Sequence, residues 1–288
     1  VVGFPPGGGV DLNSRTLAAK LTDVLKQSVF VDNRPGASGS IGAEFVANSA
    51  PDGYTLLAMS ATTLTSTLLT SVRYDVLKDF TPITLLSKNP YLLVIHPSVP
   101  AQNLREFLAY AKANPGRISY SSSGNGGINH LAAELIQATT NTQMVHVPYK
   151  GMSNAYADLF SGRIQLAFST PVVGMPYVKA GKVRALGVTS RSRMTFLPDM
   201  PTVSEAGLPG FEVVQWNGLL GPAKMPKTVV DRLHNETVVV LHHPEVVNQM
   251  AQEGSEPSGA NGGELAAHMK IELDKWGAVI KRANIQPY

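Results

Sequence analysis

The stretch Phe4-Pro5-Pro6-Gly7-Gly8-Gly9-Val10-Asp11 marks the start of the first helix in the chain. The apolar residues before it are typical of the end of a buried strand, and apolar residues after it recur at helical spacing as far as Leu25. Three successive glycines let the backbone approach a ligand closely, and the first amides of a helix have no partner inside the helix. Because the helix dipole also favours negative charge there, this stretch predicts an anion site.

A second stretch of similar design, Ser121-Ser122-Ser123-Gly124-Asn125-Gly126-Gly127, follows another predicted strand and precedes another predicted helix. In open α/β sheets, ligands bind at the carboxyl ends of the strands. We therefore expect the two glycine-rich turns to face each other across a cleft and to hold an anion together.

The composition is that of a folded protein with room for two domains. The chain has 288 residues, of which 43% are hydrophobic and 16% are charged. The net charge is only +3 and the basic residues are scattered singly, so we expect no nucleic-acid partner. The absence of cysteine excludes disulfides and thiolate catalysis. No apolar run is long enough to predict a membrane span, and no signal peptide is present; because the sequence opens on a strand, we expect further residues upstream of Val1.

Predicted strands and helices alternate along most of the chain, which indicates βαβ units and a parallel sheet. The sequence therefore predicts an α/β fold. The predicted helices at 229–241 and 265–283 have no sheet of their own nearby, so we expect them to return to the first domain.

This layout predicts a hinged protein of two lobes. Lobe 1 is expected to comprise residues 1–98 and 214–288, and lobe 2 residues 99–213. Two crossing strands near 91–98 and 211–220 are expected to form the hinge.

The sequence lacks the motifs of several ligand classes. No Gly-x-x-x-x-Gly-Lys-Ser/Thr occurs, so the first turn is not a P-loop. No Gly-x-Gly-x-x-Gly follows a strand, which argues against dinucleotide binding. Only His242 and His243 lie close together among the histidines, and no carboxylates stand at ligand spacing beside them, so no metal site is expected.

His130 and Asp11 have two interpretations each. His130 could pair with Ser122 or Ser123 as a nucleophile, but no Gly-x-Ser-x-Gly elbow occurs, which favours a structural or ligand-facing group in the first helical turn. Asp11 fits a helix-start carboxylate better than a general base.

A hydroxyl-rich cluster, Ser60-Ala61-Thr62-Thr63, follows another predicted strand. These hydroxyls could cap the next helix or contact a ligand, and the case for contact depends on where the turn falls rather than on residue type. Trp216 and Asn217 on the returning strand could line the cleft, or Trp216 could belong to the core.

Several longer motifs closely resemble those of the Bug family, also called the TctC family, the solute-binding receptors of tripartite tricarboxylate transporters. The resemblance covers essentially the whole chain in order. Its motifs are Pro5-Pro6-Gly7-Gly8-Gly9-Val10-Asp11 with Arg15, Asn33-Arg34-Pro35-Gly36, Ala50-Pro51-Asp52-Gly53-Tyr54-Thr55-Leu56, His146-Val147-Pro148-Tyr149-Lys150-Gly151, Arg184-Ala185-Leu186-Gly187-Val188-Thr189, and Leu197-Pro198-Asp199-Met200-Pro201-Thr202 with Glu205-Ala206-Gly207.

The resemblance implies a periplasmic receptor of the Venus flytrap, or periplasmic-binding-protein, architecture, with a mostly parallel sheet flanked by helices in each lobe. It implies no enzymatic activity, no cofactor and no bound metal. It implies a monomer that captures a small di- or aromatic carboxylate and delivers it to the membrane components of a transporter. The ligand-binding residues so expected are Pro6, Gly7, Gly8, Gly9, Asp11, Ser60, Ala61, Thr62, Ser122, Ser123, Gly124, Asn125, Gly126, Gly127, His130, Ser169 and Thr170.

One departure from the family bears on the ligand. Many members that bind amino acids or polar ligands resemble one another in carrying an Asp just after the equivalent of Phe168, where this sequence has Ser169-Thr170-Pro171. A plain organic or aromatic carboxylate is therefore expected rather than an amine-bearing ligand. Two other functions stay open: a sensory receptor that signals to a partner, and a nucleotide-dependent enzyme.

Overall fold

The structure, a computed structural model, describes residues 1–149 and 152–286. Lys150 and Gly151, which belong to the predicted turn at 148–151, lie outside the described residues. The helices are α1 (Gly9–Leu25), α2 (Ser40–Ala47), α3 (Ala61–Ser66), α4 (Leu104–Ala113), α5 (Ile128–Thr140), α6 (Tyr156–Phe160), α7 (Pro171–Lys179), α8 (Val203–Ala206), α9 (Lys227–Leu241), α10 (Pro244–Gln252) and α11 (Gly262–Arg282). The strands are β1 (Leu57–Ser60), β2 (Phe80–Pro90), β3 (Leu92–Ile95), β4 (Ser119–Ser122), β5 (Val145–Pro148), β6 (Leu166–Ser169), β7 (Arg184–Val188), β8 (Val214–Pro222) and β9 (Glu256–Pro257).

The chain divides into two compact units, which we call lobe 1 and lobe 2. Lobe 1 contains Val1–Lys88 and Gln215–Gly277, and lobe 2 contains Asn89–Val214 and Ala278–Ile285. The first crossing therefore falls between Lys88 and Asn89, whereas the sequence predicted it near residue 98. The end of α11 groups with lobe 2, although the sequence placed it in lobe 1. The predicted hinge strands stay a prediction.

Lobe 1 has a four-stranded sheet in the order β1-β8-β2-β9. β1 runs antiparallel to β8, with Leu57 opposite Leu220, and β2 runs antiparallel to β9. The parallel part of this lobe lies at the start of the chain, where Val2 forms parallel bridges to both Asn33 and Ala58. The first residues of the chain thus lie beside β1 and deliver the glycine-rich turn at the carboxyl end of β1.

Lobe 2 has a five-stranded sheet in the order β5-β4-β6-β3-β7. β4 is parallel to β5 and to β6, while β3 is antiparallel to β6 and to β7. β3 therefore runs against the four other strands. β3 pairs with two strands of the lobe 2 sheet, and its predicted role as a crossing strand stays a prediction.

Each lobe has an apolar core built by amphipathic helices on the sheet. In lobe 1, Leu17 and Leu21 of α1 pack with Leu241 and Met250 from the last third of the chain. α9 thus packs on α1 in lobe 1, where the sequence places it because it has no sheet of its own nearby. Trp216 on β8 is 0% exposed and therefore belongs to the core, which settles its two interpretations.

Two parts of lobe 1 differ from what the sequence predicts. β2 is eleven residues long and carries Pro82, Lys88 and Asn89 among its apolar residues, so no clear alternation marked it as a strand. The segment 29–31, predicted to be a strand, makes no ladder, and the strand pairing there is limited to the bridge at Asn33. Within the described residues no helix is long and apolar enough to cross a bilayer.

Candidate functional site

The first glycine-rich turn is exposed, and its conformation depends on Gly7. Gly7 has a φ of +88°, in the left-handed region that side chains disfavour, and Gly8 then precedes the first helical residue, Gly9. Gly8 supplies no capping side chain to α1. The first backbone bond that α1 makes is from Leu12 N to Gly8 O at 2.9 Å, so the amides of Gly9 and Val10 precede it and have no carbonyl partner.

Asp11 fixes this turn rather than facing the solvent. Its side chain is 1% exposed, and its Oδ2 accepts hydrogen bonds from Gly7 N at 2.9 Å and from Arg15 Nε at 3.0 Å. Its Oδ1 accepts a hydrogen bond from Asn33 Nδ2 at 2.8 Å. Burial alone would raise the pKa of Asp11, but these three donors outweigh it and lower the pKa to about 2. Asp11 is therefore a charged anchor for the turn, and the Gly7 amide is already occupied by it.

A second loop lies directly against this turn. Gly39 has a φ of +95°, and a Cβ built on it would stand 2.4 Å from Thr63 Oγ1 and 3.2 Å from Phe4 Cε2. A Cβ built on Gly3 would stand 2.5 Å from Gly39 Cα. Only glycine permits such close approach of two backbones, so the loop 36–39 brings the end of the first strand and the start of α3 together.

The hydroxyl cluster after β1 turns out to be mainly a helix cap. Ser60 is 0% exposed, and its Oγ accepts a hydrogen bond from Thr63 N at 3.2 Å and lies 3.2 Å from Thr63 Oγ1. Ala61 is buried beside it. Thr62 is half-buried, and its hydroxyl makes no side-chain hydrogen bond within the described residues. Of the three cluster residues predicted to bind the ligand, Thr62 alone has a hydroxyl available to one.

We expect Ser60→Ala to lower the free energy of unfolding by about 1–2 kcal/mol, because the Thr63 amide would lose its cap in a buried place. Ligand affinity should change less than threefold, since Ser60 is not exposed to a ligand. Urea denaturation followed by circular dichroism measures the first quantity, and titration calorimetry measures the second. Thr62→Val serves as the control with the opposite pattern: stability near that of the wild type and weakened ligand binding.

The second glycine-rich turn, in lobe 2, is held by its own side chains. Ser122 Oγ accepts a hydrogen bond from Gly124 N at 3.1 Å and lies 3.0 Å from Gly124 O. Ser123 Oγ donates to Asn129 Oδ1 at 3.2 Å, and Asn129 Nδ2 donates to Phe168 O at 3.3 Å. These contacts connect the turn to the end of β6.

A stacked pair of histidines, the buried His130 and the half-buried His146, lies beneath this turn. Gly126 N donates a hydrogen bond to His130 Nδ1 at 3.0 Å, and Ser122 Oγ lies 2.6 Å from His146 Nε2. The two imidazole rings are stacked, with centroids 3.8 Å apart and planes 5° apart. Burial lowers the pKa of both histidines to about 4, and for His130 the neighbouring His146 lowers it further. Because His130 Nδ1 accepts a backbone N–H, His130 is a positioning group and does not activate Ser122 or Ser123 as a nucleophile.

The end of β6 lies at the same edge of the lobe 2 sheet as the second glycine-rich turn, because β4 and β6 are parallel neighbours. Ser169 is 1% exposed, and its Oγ lies 2.9 Å from the hydroxyl of Tyr156, so it belongs to the interior. Thr170 stands at the N-cap position of α7 but makes no capping bond. Its half-buried hydroxyl has no hydrogen-bond partner within the described residues. Thr170 is therefore better placed for a ligand than Ser169.

Each lobe thus keeps a small set of unused backbone donors. Within the described residues of lobe 1 these include the amides of Gly9 and Val10 at the start of α1, while Pro6 has no N–H. In lobe 2 the amides of Gly124, Gly126 and Gly127 are internally bonded, to Ser122, His130 and Gly124 O respectively. In the part of the chain that the structure describes, the amide of Asn125 and the first amides of α5, beginning with Ile128, remain there. Neither turn carries a lysine or an arginine.

A cavity of about 750 Å³ lies elsewhere in lobe 1. Its lining includes the apolar residues Leu17, Leu21, Phe30 and Leu233 and none of the glycines of the first turn. No group of three or more metal-ligating side chains occurs among the described residues.

The sequence model of a protein family, the tripartite tricarboxylate transporter family receptor, matches residues 14–285 of this chain. The chain belongs to this receptor family. A relative in Pseudomonas sp. (strain P51), the UPF0065 protein of the tcbD-tcbE intergenic region, is 38% identical over 97% of this chain and 84% of its own length. Among solved structures, R. palustris Rpa4515 with adipate is 32% identical, with a TM-score of 0.83 over 100% of this chain and 97% of that one. MatC from Rhodopseudomonas palustris with bound malate is 29% identical, with a TM-score of 0.78 over 97% of each chain.

Membership of the receptor family confirms several predictions. The family consists of substrate-binding receptors rather than enzymes, and its members are periplasmic binding proteins. The α/β fold with two lobes is likewise that of the family. The individual binding residues stay a prediction.

Three residues of this receptor hold the turns in place: Asn33, Asn129 and His146. Asn129 was not singled out from the sequence, and Asn33 and His146 stood only in the motifs of the family resemblance, without a role. The parallel bridge between Val2 and Asn33 brings Asn33 to Asp11. The parallel pairing of β4 with β5 places His146 beside Tyr120, from where its ring reaches Ser122. Only the register of these strands could have signalled them.

Proposed function

We propose that the chain is a periplasmic solute receptor that captures a small dicarboxylate and passes it to the membrane components of a tripartite tricarboxylate transporter. The observation that carries the proposal is the run of unused amides at the start of α1 and at the turn before α5. Each run follows a strand and is locked by buried side chains, as described for Asp11 and for the histidine pair.

The charge of the two turns supports carboxylates over phosphates. Backbone amides at a helix start stabilise one or two negative charges without a cationic side chain. Arg15, the basic residue nearest the first turn, is already paired with Asp11 at 3.0 Å. A phosphate dianion would lack a counter-charge in both turns, whereas each carboxylate of a dicarboxylate carries a single charge. The adipate and malate seen in two similar structures are dicarboxylates, which supports the same class.

Titration calorimetry with mono-, di-, tri- and aromatic carboxylates tests this proposal. We expect at least one dicarboxylate, with adipate and malate as the first probes, to bind with a dissociation constant below about 0.1 mM. Binding of a nucleotide, with every carboxylate weaker than millimolar, would overturn the proposal.

Gly9→Pro tests the role of the amides directly. Gly9 is the first residue of α1, where proline is well accepted, and Gly8 has φ −81° and ψ 162°, which suits a residue before proline. No atom lies within 4 Å of a Cβ built on Gly9. The variant therefore removes one N–H while leaving the helix intact, and we expect about tenfold or greater loss of dicarboxylate affinity at unchanged stability. Gly9→Ala keeps the N–H and is the matched control; equal affinities of the two variants would contradict a role for this amide.

A further inference from the structure

The histidine pair of lobe 2 has a defined hydrogen-bond arrangement. Because Gly126 N–H donates to His130 Nδ1, the proton of that ring is on Nε2. Ser122 Oγ accepts from Gly124 N, and it lies 3.0 Å from Gly124 O and 2.6 Å from His146 Nε2, so it links the turn to the ring of His146. His130 is thus neutral and carries its proton on Nε2.

We propose that His130 and His146 are positioning residues for the ligand: as a neutral stacked pair they hold Gly126 and Ser122, which leaves the amides of Asn125 and Ile128 free for a carboxylate. This inference rests on the proposed function, because it assigns a ligand to those amides. The pair touches no ligand itself and acts through the turn.

The surroundings of the pair keep it neutral. Tyr120 on β4 stacks on His146 with ring centroids 5.1 Å apart, and its hydroxyl donates to Glu134 Oε1 at 2.6 Å. Glu134 on α5 lies 3.9 Å from His130 Nε2, too far for a hydrogen bond. Burial raises the pKa of Glu134, and burial together with Glu134 raises the pKa of Tyr120. The ionisable groups facing the pair from β4, β5 and α5 are thus Tyr120, His146 and Glu134.

Protonation would undo this arrangement. A cationic His130 has no free acceptor at Nδ1, so the Gly126 amide would lose its partner, and a second cation 3.8 Å away would be repelled. Both histidines have a pKa lowered from 6.5 to about 4, so the folded protein keeps them neutral as the pH falls through 6.5 and loses that state only near pH 4. The turn is therefore expected to hold its shape from pH 8 to about pH 5.

The first experiment needs no ligand, so it stands even if the proposed function fails. Nitrogen-15 NMR of the imidazoles in the full chain should show neutral rings for both His130 and His146 from pH 8 to pH 5, with His130 in the Nε2–H form. The Gly126 amide should exchange slowly with solvent over the same range. An imidazolium signal at pH 6, or an unprotected Gly126 amide, would overturn the inference.

The second experiment measures dicarboxylate affinity, with adipate and malate as probes, in two substitutions at one position. His130→Asn places an amide oxygen near the position of Nδ1 and should keep affinity within about threefold, whereas His130→Leu removes the acceptor and should weaken binding at least tenfold. The surface variant His242→Asn is the control. Equal affinities of the Asn and Leu variants would show that the ring only fills space.

The pH profile separates positioning from packing. Ligand protonation affects all variants alike, so the ratio of wild-type to His130→Asn affinity isolates the histidine. This ratio should stay constant from pH 8 to pH 5 and fall as the pH approaches 4. A constant ratio down to pH 4 would overturn the positioning role, even if His130→Leu does not fold.

Discussion

Gly3→Ala is expected to lower the free energy of unfolding of lobe 1 by about 3 kcal/mol or more. The new Cβ would stand 2.5 Å from Gly39 Cα and 2.7 Å from Gly39 O. Both atoms belong to the backbone, so no side-chain rotation relieves the clash, and the loop 36–39 must move. Urea denaturation followed by circular dichroism measures the loss.

Gly277→Ala is the matched control for this prediction. Gly277 lies in the same lobe, inside α11, and no atom lies within 4 Å of a Cβ built there. Alanine in a helix interior should stabilise by about 0.5–1 kcal/mol. If Gly3→Ala unfolds at the same urea concentration as Gly277→Ala, the close approach of Gly3 and Gly39 does not exist in solution.

The contact between Gly3 and Gly39 also explains why the loop 36–39 matters to the candidate site. Gly39 lies against Phe4 on one side and Thr63 on the other, so a shift of the loop disturbs both the glycine-rich turn and the capped start of α3. We therefore expect Gly3→Ala to weaken dicarboxylate binding as well as stability. Gly3 itself is buried, so this loss of binding would come from the shift of the loop.

Features that depend on neighbouring residues were predictable from the sequence. The starts of α1 and α5 were predicted because glycines stand between a strand and a run of apolar residues at helical spacing. In the structure these helices begin at Gly9 and Ile128. The cap at Ser60 was predicted because a hydroxyl residue precedes apolar residues at helical spacing. These signals lie within one turn of the helix they define.

Features that depend on strand pairing were not predictable. β3 is a short apolar run that would suit either lobe, and its ladders with β6 and β7 assign it to lobe 2. Asp11 meets Asn33 across 22 residues of sequence, through the parallel bridge between Val2 and Asn33. The sequence contained the donors and acceptors of the site but not the register that pairs them. The structure shows Asp11 holding the turn, and its expected contact with a ligand stays a prediction.

Asp11→Ala is expected to lower the free energy of unfolding by about 2–3 kcal/mol and to weaken dicarboxylate binding at least tenfold. The substitution leaves Gly7 N, Asn33 Nδ2 and Arg15 without the acceptor they share, and the first two lie in a partly buried place. Without that anchor the turn at Gly7 no longer has a fixed conformation. Asp11→Asn keeps one acceptor oxygen and should lose about half as much stability. Asp23→Ala, an exposed position on the same helix, is the control and should change stability by less than about 0.5 kcal/mol.

The pH dependence of stability identifies the charge of Asp11 as the cause. The donors around it lower the pKa of Asp11 from 3.8 to about 2, so the folded state holds the carboxylate while the unfolded state binds a proton. The stabilisation is therefore fully present above about pH 4 and is lost as the pH falls towards 2. The difference in unfolding free energy between the wild type and Asp11→Ala should shrink over that window. A difference that stays constant from pH 5 to pH 2 would mean that Asp11 acts by packing and not as the charged anchor of the turn.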